Sequence, residues 1–525
     1  MLQNLCATIN GYEVTSFMLY LIAMVAVGVY FFVKGKDKTE KDYFLGGRKM
    51  SGFVAAISAG ASDMSAWCLM GLPGSIYLFG LGEVWISIGL FIGTVCAWVF
   101  VAPKLRRYAI KAGDSITVPQ FLTNRFNEKS NSLRVISAII FVIAYCIYAA
   151  SSVSACVTLF QEVFDVGIDS KYIVMIVVTV IIIVYTMLGG FNAVCWTDVI
   201  QGLLLLGALM LLPIVVLVFV KSGNLSTSFV PWRETQGNFY SLLSAGAKNW
   251  ESYAKIITGL GWGLGYFGMP HIIVRYMSIK SEKEMRKSQI TGCIWTGLIL
   301  VMTTFVALVA REYLGASMEN NKSTVFIAIV KEIFRSGAWA LVGGLLLSAI
   351  VAASMSSADS QLLASSSAFV SDFYKTVIDK NPSDKKITWL SRFAVIGISV
   401  AALLIALFGT DDIMSLVSAA WSIFGSAFGP AIILSLYWKR LNYTGCVSGI
   451  VSGFLVSILW LVCFNLNYYL NTSSLIYDTG VYEILPGFIA GLITAIVVSL
   501  CTKKPSEEIV NTFEEVKKLN YHSED

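Results

Sequence analysis

Runs of about twenty apolar residues, each closed by charged or turn-forming residues, recur thirteen times along the chain, and each is long enough to cross a bilayer as a helix. They read as spans 1 to 13 at residues 14–33, 51–80, 84–101, 135–159, 172–188, 194–220, 256–277, 290–310, 338–370, 393–408, 413–438, 447–466 and 484–500. The pattern predicts an all-α polytopic membrane protein with 13 transmembrane helices. The second and ninth runs exceed what a crossing needs, so each is expected to be tilted, broken or extended beyond the bilayer. The first run lacks the basic leader and small-residue cleavage site of a secretory signal and is read as a retained anchor.

Charge changes the picture by giving the spans a direction. Connections after odd-numbered spans hold 25 Lys and Arg, and the opposite set holds 8. By the positive-inside rule this predicts a plasma-membrane protein with its N-terminus outside and the tail 501–525 in the cytoplasm. Of the outer loops, 221–252 and 311–336 are long and rich in Asn, Ser and Gly. The hydrophobic fraction of 56% is far beyond one soluble core, and the net charge of +5 is dispersed in short clusters between spans. A nucleic-acid partner is therefore not expected, and the lipid bilayer is. Ten scattered cysteines without Cys-x-x-Cys spacing and only two histidines, His271 and His522, cannot build a histidine-rich metal centre or a disulfide frame.

Spans 2 and 7 are the two most interrupted by glycine and stand five spans apart, an odd offset that inverts the second unit. Paired broken helices of this kind point to an inverted-repeat secondary transporter with its site at the midplane. The expected division is 1–50 (outer N-terminus, first span and loop), 51–220 (first repeat, spans 2–6), 221–440 (second repeat, spans 7–11), 441–500 (spans 12 and 13) and 501–525 (tail).

Candidate chemistry lies in polar residues where lipid forbids them. Asp63 sits in mid-span 2, where a carboxylate costs about 2.5–3.5 kcal/mol on insertion scales and has to face a protein interior. Ser58, Ser62 and Ser65 flank it. Hydroxyls, freed carbonyls and a carboxylate suit an alkali cation; the serines alone would equally suit close helix packing. In span 9, Ala353, Ser356, Ser357 and Ser360 share one stripe, with Asp359 beside it. Span 6 opens with Thr197, Asp198 and Gln201, a site or simply a carboxylate at a helix N-terminus. Trp262, Tyr266, Phe267 and Pro270 in span 7, with Tyr145 and Tyr148 in span 4, offer aromatic faces to a small solute or to the interface. Asp359 needs a bound ion, a proton or a buried partner, and the charge count assigns Arg48 and Arg275 to basic loops away from it.

The segments Leu45-Gly-Gly-Arg48, Gly60-Ala-Ser-Asp-Met-Ser65, Trp196-Thr-Asp-Val-Ile-Gln201, Gly263-Leu-Gly-Tyr-Phe-Gly-Met-Pro-His271 and Met355-Ser-Ser357 together resemble the sodium/solute symporter family, most of all its sodium/proline symporter branch. The resemblance spans nearly the whole chain. It implies a leucine-transporter-type core of 5+5 inverted helices and a sodium ion between spans 2 and 9. The sodium ligands it implies are the carbonyls of Ala61, Met64 and Ala353 and the hydroxyls of Ser356 and Ser357, with Asp63 close by and needed for coupling. It implies a substrate pocket of Trp67, Tyr148, Trp262, Tyr266 and Pro270, and puts Arg48 on the cytoplasmic exit side. Asp359 and Ser360 depart from some relatives, and Asp198, Ser356, Asp359 and Ser360 together form a candidate second cation site.

The function expected is import of L-proline coupled to sodium by alternating access, with no metal other than sodium and no cofactor. The alternative within the class is another small solute such as a sugar, pantothenate or sialic acid. A cation channel would need a continuous polar pore or a filter, and an enzyme a nucleophile with its base or a metal cluster. Neither pattern is present in the sequence.

Overall fold

The computed structural model describes residues 11–34, 39–128, 130–164, 171–188, 190–221, 239–243, 249–334, 337, 339–408, 412–466, 476 and 479–519. Most of the outer loop 221–252, the start of the chain with Cys6, and His522 lie outside the described residues. Regular structure among those described is helical, apart from one isolated bridge between Met50 and Ile279.

Ten helices are long and apolar enough to cross a membrane, and the pair Gly52–Asp63 and Ala66–Phe79, bent by 70°, makes an eleventh. The run predicted as span 5 forms the helix Lys171–Leu188, and span 7 is divided among Trp250–Gly261, Trp262–Phe267 and Pro270–Ser278. Both fall short of that test, span 7 because its helix is interrupted. Ser132–Phe164 and Glu282–Leu314 have 33 residues each. At 1.5 Å per residue they reach about 50 Å, well past a hydrocarbon core of about 30 Å, so their ends stand in the interface.

Burial separates the inner helices from the outer. The apolar window of span 11, Ile413–Tyr437, is 94% buried and that of span 9 is 83% buried, against 22% for span 12, Tyr443–Asn465. Spans 9 and 11 are thus enclosed by protein, while span 12 faces lipid with most of its surface. Span 9 packs on Gly11–Lys34, Gly52–Asp63, Ser132–Phe164 and Phe191–Lys221. Helices in lipid gain little from burying apolar surface against one another and rely on close backbone approach at small residues. Span 3 against span 7 is such a contact: a Cβ on Gly93 would lie 2.3 Å from the carbonyl oxygen of Gly263.

Candidate functional site

The break in span 2 follows from its last turn. The helix Gly52–Asp63 closes with the Met64 amide on the Gly60 carbonyl at 2.8 Å, Met64 leaves helical geometry (φ −77°, ψ 70°), and Ser65 is extended. Carbonyls in the last turn lose their helical partners and need others. The Trp67 indole donates to the Asp63 carbonyl at 3.0 Å. The Ala61 carbonyl finds its partner on span 9, where the Ser356 hydroxyl lies 3.0 Å from it and 3.0 Å from the Ala353 carbonyl. One hydroxyl proton therefore serves two carbonyls, and the neighbouring Ser357 hydroxyl is buried without a hydrogen-bond partner among the described residues. These hard oxygens suit a small alkali cation.

Beside them the Asp63 carboxylate accepts the Tyr266 hydroxyl through Oδ2, while its Oδ1 is buried without a partner among the described residues. Tyr266 comes from the 3-10 segment of span 7, so this bond ties the breaks of spans 2 and 7 together. The backbone of that segment is held by span 11: the Trp421 indole donates to the Trp262 carbonyl at 2.7 Å. A Cβ on Gly265 would lie 1.8 Å from the Trp421 Nε1, so only glycine fits there. The Trp262 ring stacks on Tyr482 at 5.0 Å, and Tyr266 meets Trp421 edge-on at 5.3 Å.

On the other side of the break, Pro270 opens the next helix. His271 donates its backbone N–H to the Tyr145 hydroxyl at 2.9 Å, and the Tyr148 ring lies 6.0 Å from the imidazole. The Tyr148 hydroxyl is buried without a partner among the described residues. Trp67, Tyr148, Trp262 and Tyr266 are all buried. Trp421, Tyr482 and His271 were not singled out by the sequence. Trp421 is an ordinary aromatic in an apolar run and Tyr482 lies in the connection before span 13, whereas His271 is visible as the end of the Gly-Met-Pro-His segment but carries no role there.

One sequence expectation is corrected by the structure. Arg275 is not a loop residue: it lies inside the helix Pro270–Ser278, fully enclosed, and pairs with Asp198 at 2.8 Å. Its Nε donates to the Ser58 hydroxyl at 2.6 Å, Nη1 to the His271 carbonyl at 2.5 Å and Nη2 to the Ser360 hydroxyl at 2.6 Å. Ser58 in turn donates to Asp198 at 2.6 Å. Asp198 thus has its cation from the chain, whereas no ion pair reaches Asp359 among the described residues. Asp359 accepts the Ser360 hydroxyl at 3.3 Å, and its second oxygen is buried without a partner among the described residues. Thr197 returns its hydroxyl to the carbonyls of its own helix, and the Gln201 amide donates to Tyr20. Both serve packing.

The Gly46-Gly47-Arg48 loop has all three residues at positive φ, which turns the chain sharply between spans 1 and 2. Arg48 donates to the Met277 carbonyl at 2.5 Å, to the Ser115 carbonyl at 2.6 Å and to Asp114 at 2.9 Å. Burial raises the Asp114 pKa, but hydrogen bonds from Lys41 and Arg48 overcome this and hold it below the usual carboxylate range.

Pro270, His271 and Arg275 line a small cavity of about 30 Å³ together with Ser360, Ser367, Thr117 and Asp372, the last two belonging to the basic loops. The opposite face is packed. The Tyr77 hydroxyl donates to the Gly315 carbonyl at 2.6 Å, the Leu81 amide to the Phe239 carbonyl at 2.7 Å, and a Cβ on Gly74 would lie 2.4 Å from the Lys322 carbonyl. This face is thus closed by packing.

Residues 43–453 match the profile of the Sodium:solute symporter family. The chain is 38% identical over 509 residues to the osmoregulated proline transporter OpuE of Bacillus subtilis, covering 96% of this chain and 98% of that one. It is 37% identical over 492 residues to the high-affinity proline transporter PutP of the same organism, covering 93% and 98%. With a sodium/proline symporter of Staphylococcus aureus it shares 38% over 507 residues, 95% of each chain. Among solved structures, a Na⁺-coupled sialic acid symporter in its substrate-bound outward-open state superposes with a TM-score of 0.76 at 21% identity, over 95% of this chain and 100% of the other. MhsT in complex with L-phenylalanine gives 0.52 at 15%, over 86% and 97%. These likenesses identify the leucine-transporter-type fold. With a family match across most of its length and relatives well above 30% identity, the chain belongs to the sodium:solute symporter family and is a secondary transporter.

Proposed function

We propose that the chain imports L-proline across the plasma membrane, with one sodium ion entering with each proline by alternating access. The observation that carries this reading is the meeting of the Ala61 and Ala353 carbonyls with the Ser356 hydroxyl between the break of span 2 and span 9. The sodium ion, a substrate here, would be coordinated by both carbonyls and by the lone pairs of the Ser356 hydroxyl, which keeps its proton and turns it away, with Met64 and Ser357 completing the shell. Asp63 stands next to it and holds Tyr266, so loss of the ion would be felt directly in span 7.

Proline would lie against Trp67, Tyr148, Trp262 and Tyr266, with Pro270 at the break beyond. Flat aromatic faces suit a pyrrolidine ring. The proline transport named for relatives at 37–38% identity over nearly the full chain supports this solute over a sugar, pantothenate or sialic acid. With Asp198 neutralised by Arg275, the reading takes one sodium per proline. The basic loops would then face the cytoplasm, the N-terminus would lie outside, and the cavity between Pro270 and Asp372 would be the release path. An inward membrane potential would add about 2.3 kcal/mol per 100 mV for each charge carried.

The test is uptake of radiolabelled proline into proteoliposomes, with sodium and a panel of unlabelled solutes varied independently. Uptake that needs sodium and is competed by proline but not by sugars, pantothenate or sialic acid supports the reading. Sodium-dependent uptake competed by one of those solutes would keep the machine and change the substrate.

A further inference from the structure

We propose that Arg125, Tyr108 and Ser435 form a binding site for a phosphate-class anion on the basic-loop side, covered by the C-terminal helix Glu507–Lys518. Arg125 ends the short helix Val118–Arg125 and is only 2% exposed. Its Nε donates to the Ser435 carbonyl at 3.2 Å, but Nη1 and Nη2 have no hydrogen-bond partner among the described residues, and no carboxylate there pairs with it. A buried guanidinium without an acid is costly, because it stays charged whatever its surroundings. Burial pulls the Arg125 pKa below its ordinary value.

The neighbours of this guanidinium are incomplete as well. The Tyr108 hydroxyl and the Ser435 hydroxyl are both buried without a partner among the described residues. The guanidinium lies 5.0 Å from the Tyr108 ring centre, 5.5 Å from that of Phe126 and 5.2 Å from that of Phe513. Two guanidinium nitrogens and the hydroxyls of the two residues that Arg125 touches are therefore buried without hydrogen-bond partners among the described residues. A tetrahedral oxyanion presents several acceptor oxygens at once, and two guanidinium N–H groups match a pair of them in parallel.

The cover is removable. Phe513 and Val516 are the buried residues of the tail helix. Its remaining ties are largely surface ones: Glu515 with Lys111 at 2.9 Å, Glu514 with Lys439 at 3.2 Å, and Glu508 with Asn127 at 3.2 Å. Exposed pairs of this kind add little and weaken with salt. When the helix lifts, Lys111 and Lys439 lose their acidic partners and join Arg125 in a basic surface at membrane level. A lipid phosphate headgroup and free inorganic phosphate share the chemistry this site would take.

The test uses the purified full-length chain in detergent. Native mass spectrometry would count retained phosphatidylglycerol against phosphatidylcholine, and a phosphorus-31 titration would follow inorganic phosphate. Arg125→Gln should weaken binding roughly tenfold or more, the scale of a lost charged hydrogen bond at a buried site. Phe513→Ala, which removes the ring over the guanidinium, should tighten it. Selective retention of phosphatidylglycerol would identify the source as lipid, and phosphate binding without it as the free anion. Binding of neither, or binding that Arg125→Gln leaves unchanged, overturns the proposal. If Arg125→Gln does not fold, Phe513→Ala decides: affinity no higher than the parent's overturns it.

Discussion

Replacing Arg275 by Gln removes the cation paired with the buried Asp198 among the described residues, and the consequence can be worked from the contacts. The two side chains are 2% and 0% exposed and 2.8 Å apart. The guanidinium also holds the Ser58 and Ser360 hydroxyls and the His271 carbonyl. Losing one partner of such a pair costs about 3–5 kcal/mol, because the other charge stays buried and uncompensated. Asp198→Asn should cost a similar amount by stranding Arg275. The double variant removes both charges and leaves two amides that can bond to the same hydroxyls, so it should cost less than the two single losses together. The coupling energy expected for groups in direct contact is about 0.5–3 kcal/mol. Reversible unfolding in mixed micelles, followed by tryptophan fluorescence across the four forms, would measure it. Losses that add to within about 0.3–0.5 kcal/mol would refute the reasoning, since they would mean the two residues act independently.

Asp63→Asn should leave the fold intact and abolish uptake or raise the sodium required many-fold; unchanged sodium dependence of initial rates would remove Asp63 from coupling. Replacing Ser356 and Ser357 together by Ala takes away two oxygens, each worth about 1.5–3 kcal/mol to a charged partner, and should weaken sodium binding at least tenfold by calorimetry. Trp262→Ala should raise the apparent KM for proline while sodium affinity without proline holds, and the reverse pattern in paired titrations would move this residue to the cation site. Asp114, with its folded pKa held below the ordinary value, adds stability that is fully present above that ordinary value and is lost as pH falls through the folded pKa. Asp114→Asn should therefore flatten the acid side of the stability profile measured by thermal unfolding.

The two breaks were legible because glycine, proline and a lone carboxylate are out of place in an apolar run facing lipid. The serine stripe of span 9 was legible for the same reason, since helical spacing alone puts Ala353, Ser356, Ser357 and Ser360 on one side. Arg275 was not. A basic residue at the end of an apolar run reads as the boundary of the membrane, and only the turn of the chain at Met269 and Pro270 brings it inward to Asp198. Trp421 and Tyr482 were hidden in another way. Their roles depend on which backbone they meet across the bundle, and neither spacing nor polarity marks that. The long helix of span 9 carries a further polar group the pattern missed: Asp372, near its end, accepts from Thr117 and Arg134 and borders the cavity.

The most direct test of the account is the reversal potential of proline flux in proteoliposomes under imposed gradients of sodium and proline. The account predicts that flux stops where the proline gradient balances one sodium gradient plus one charge moving through the membrane potential. A reversal point that ignores sodium would contradict sodium coupling, and one set by two charges per proline would contradict the single-sodium stoichiometry.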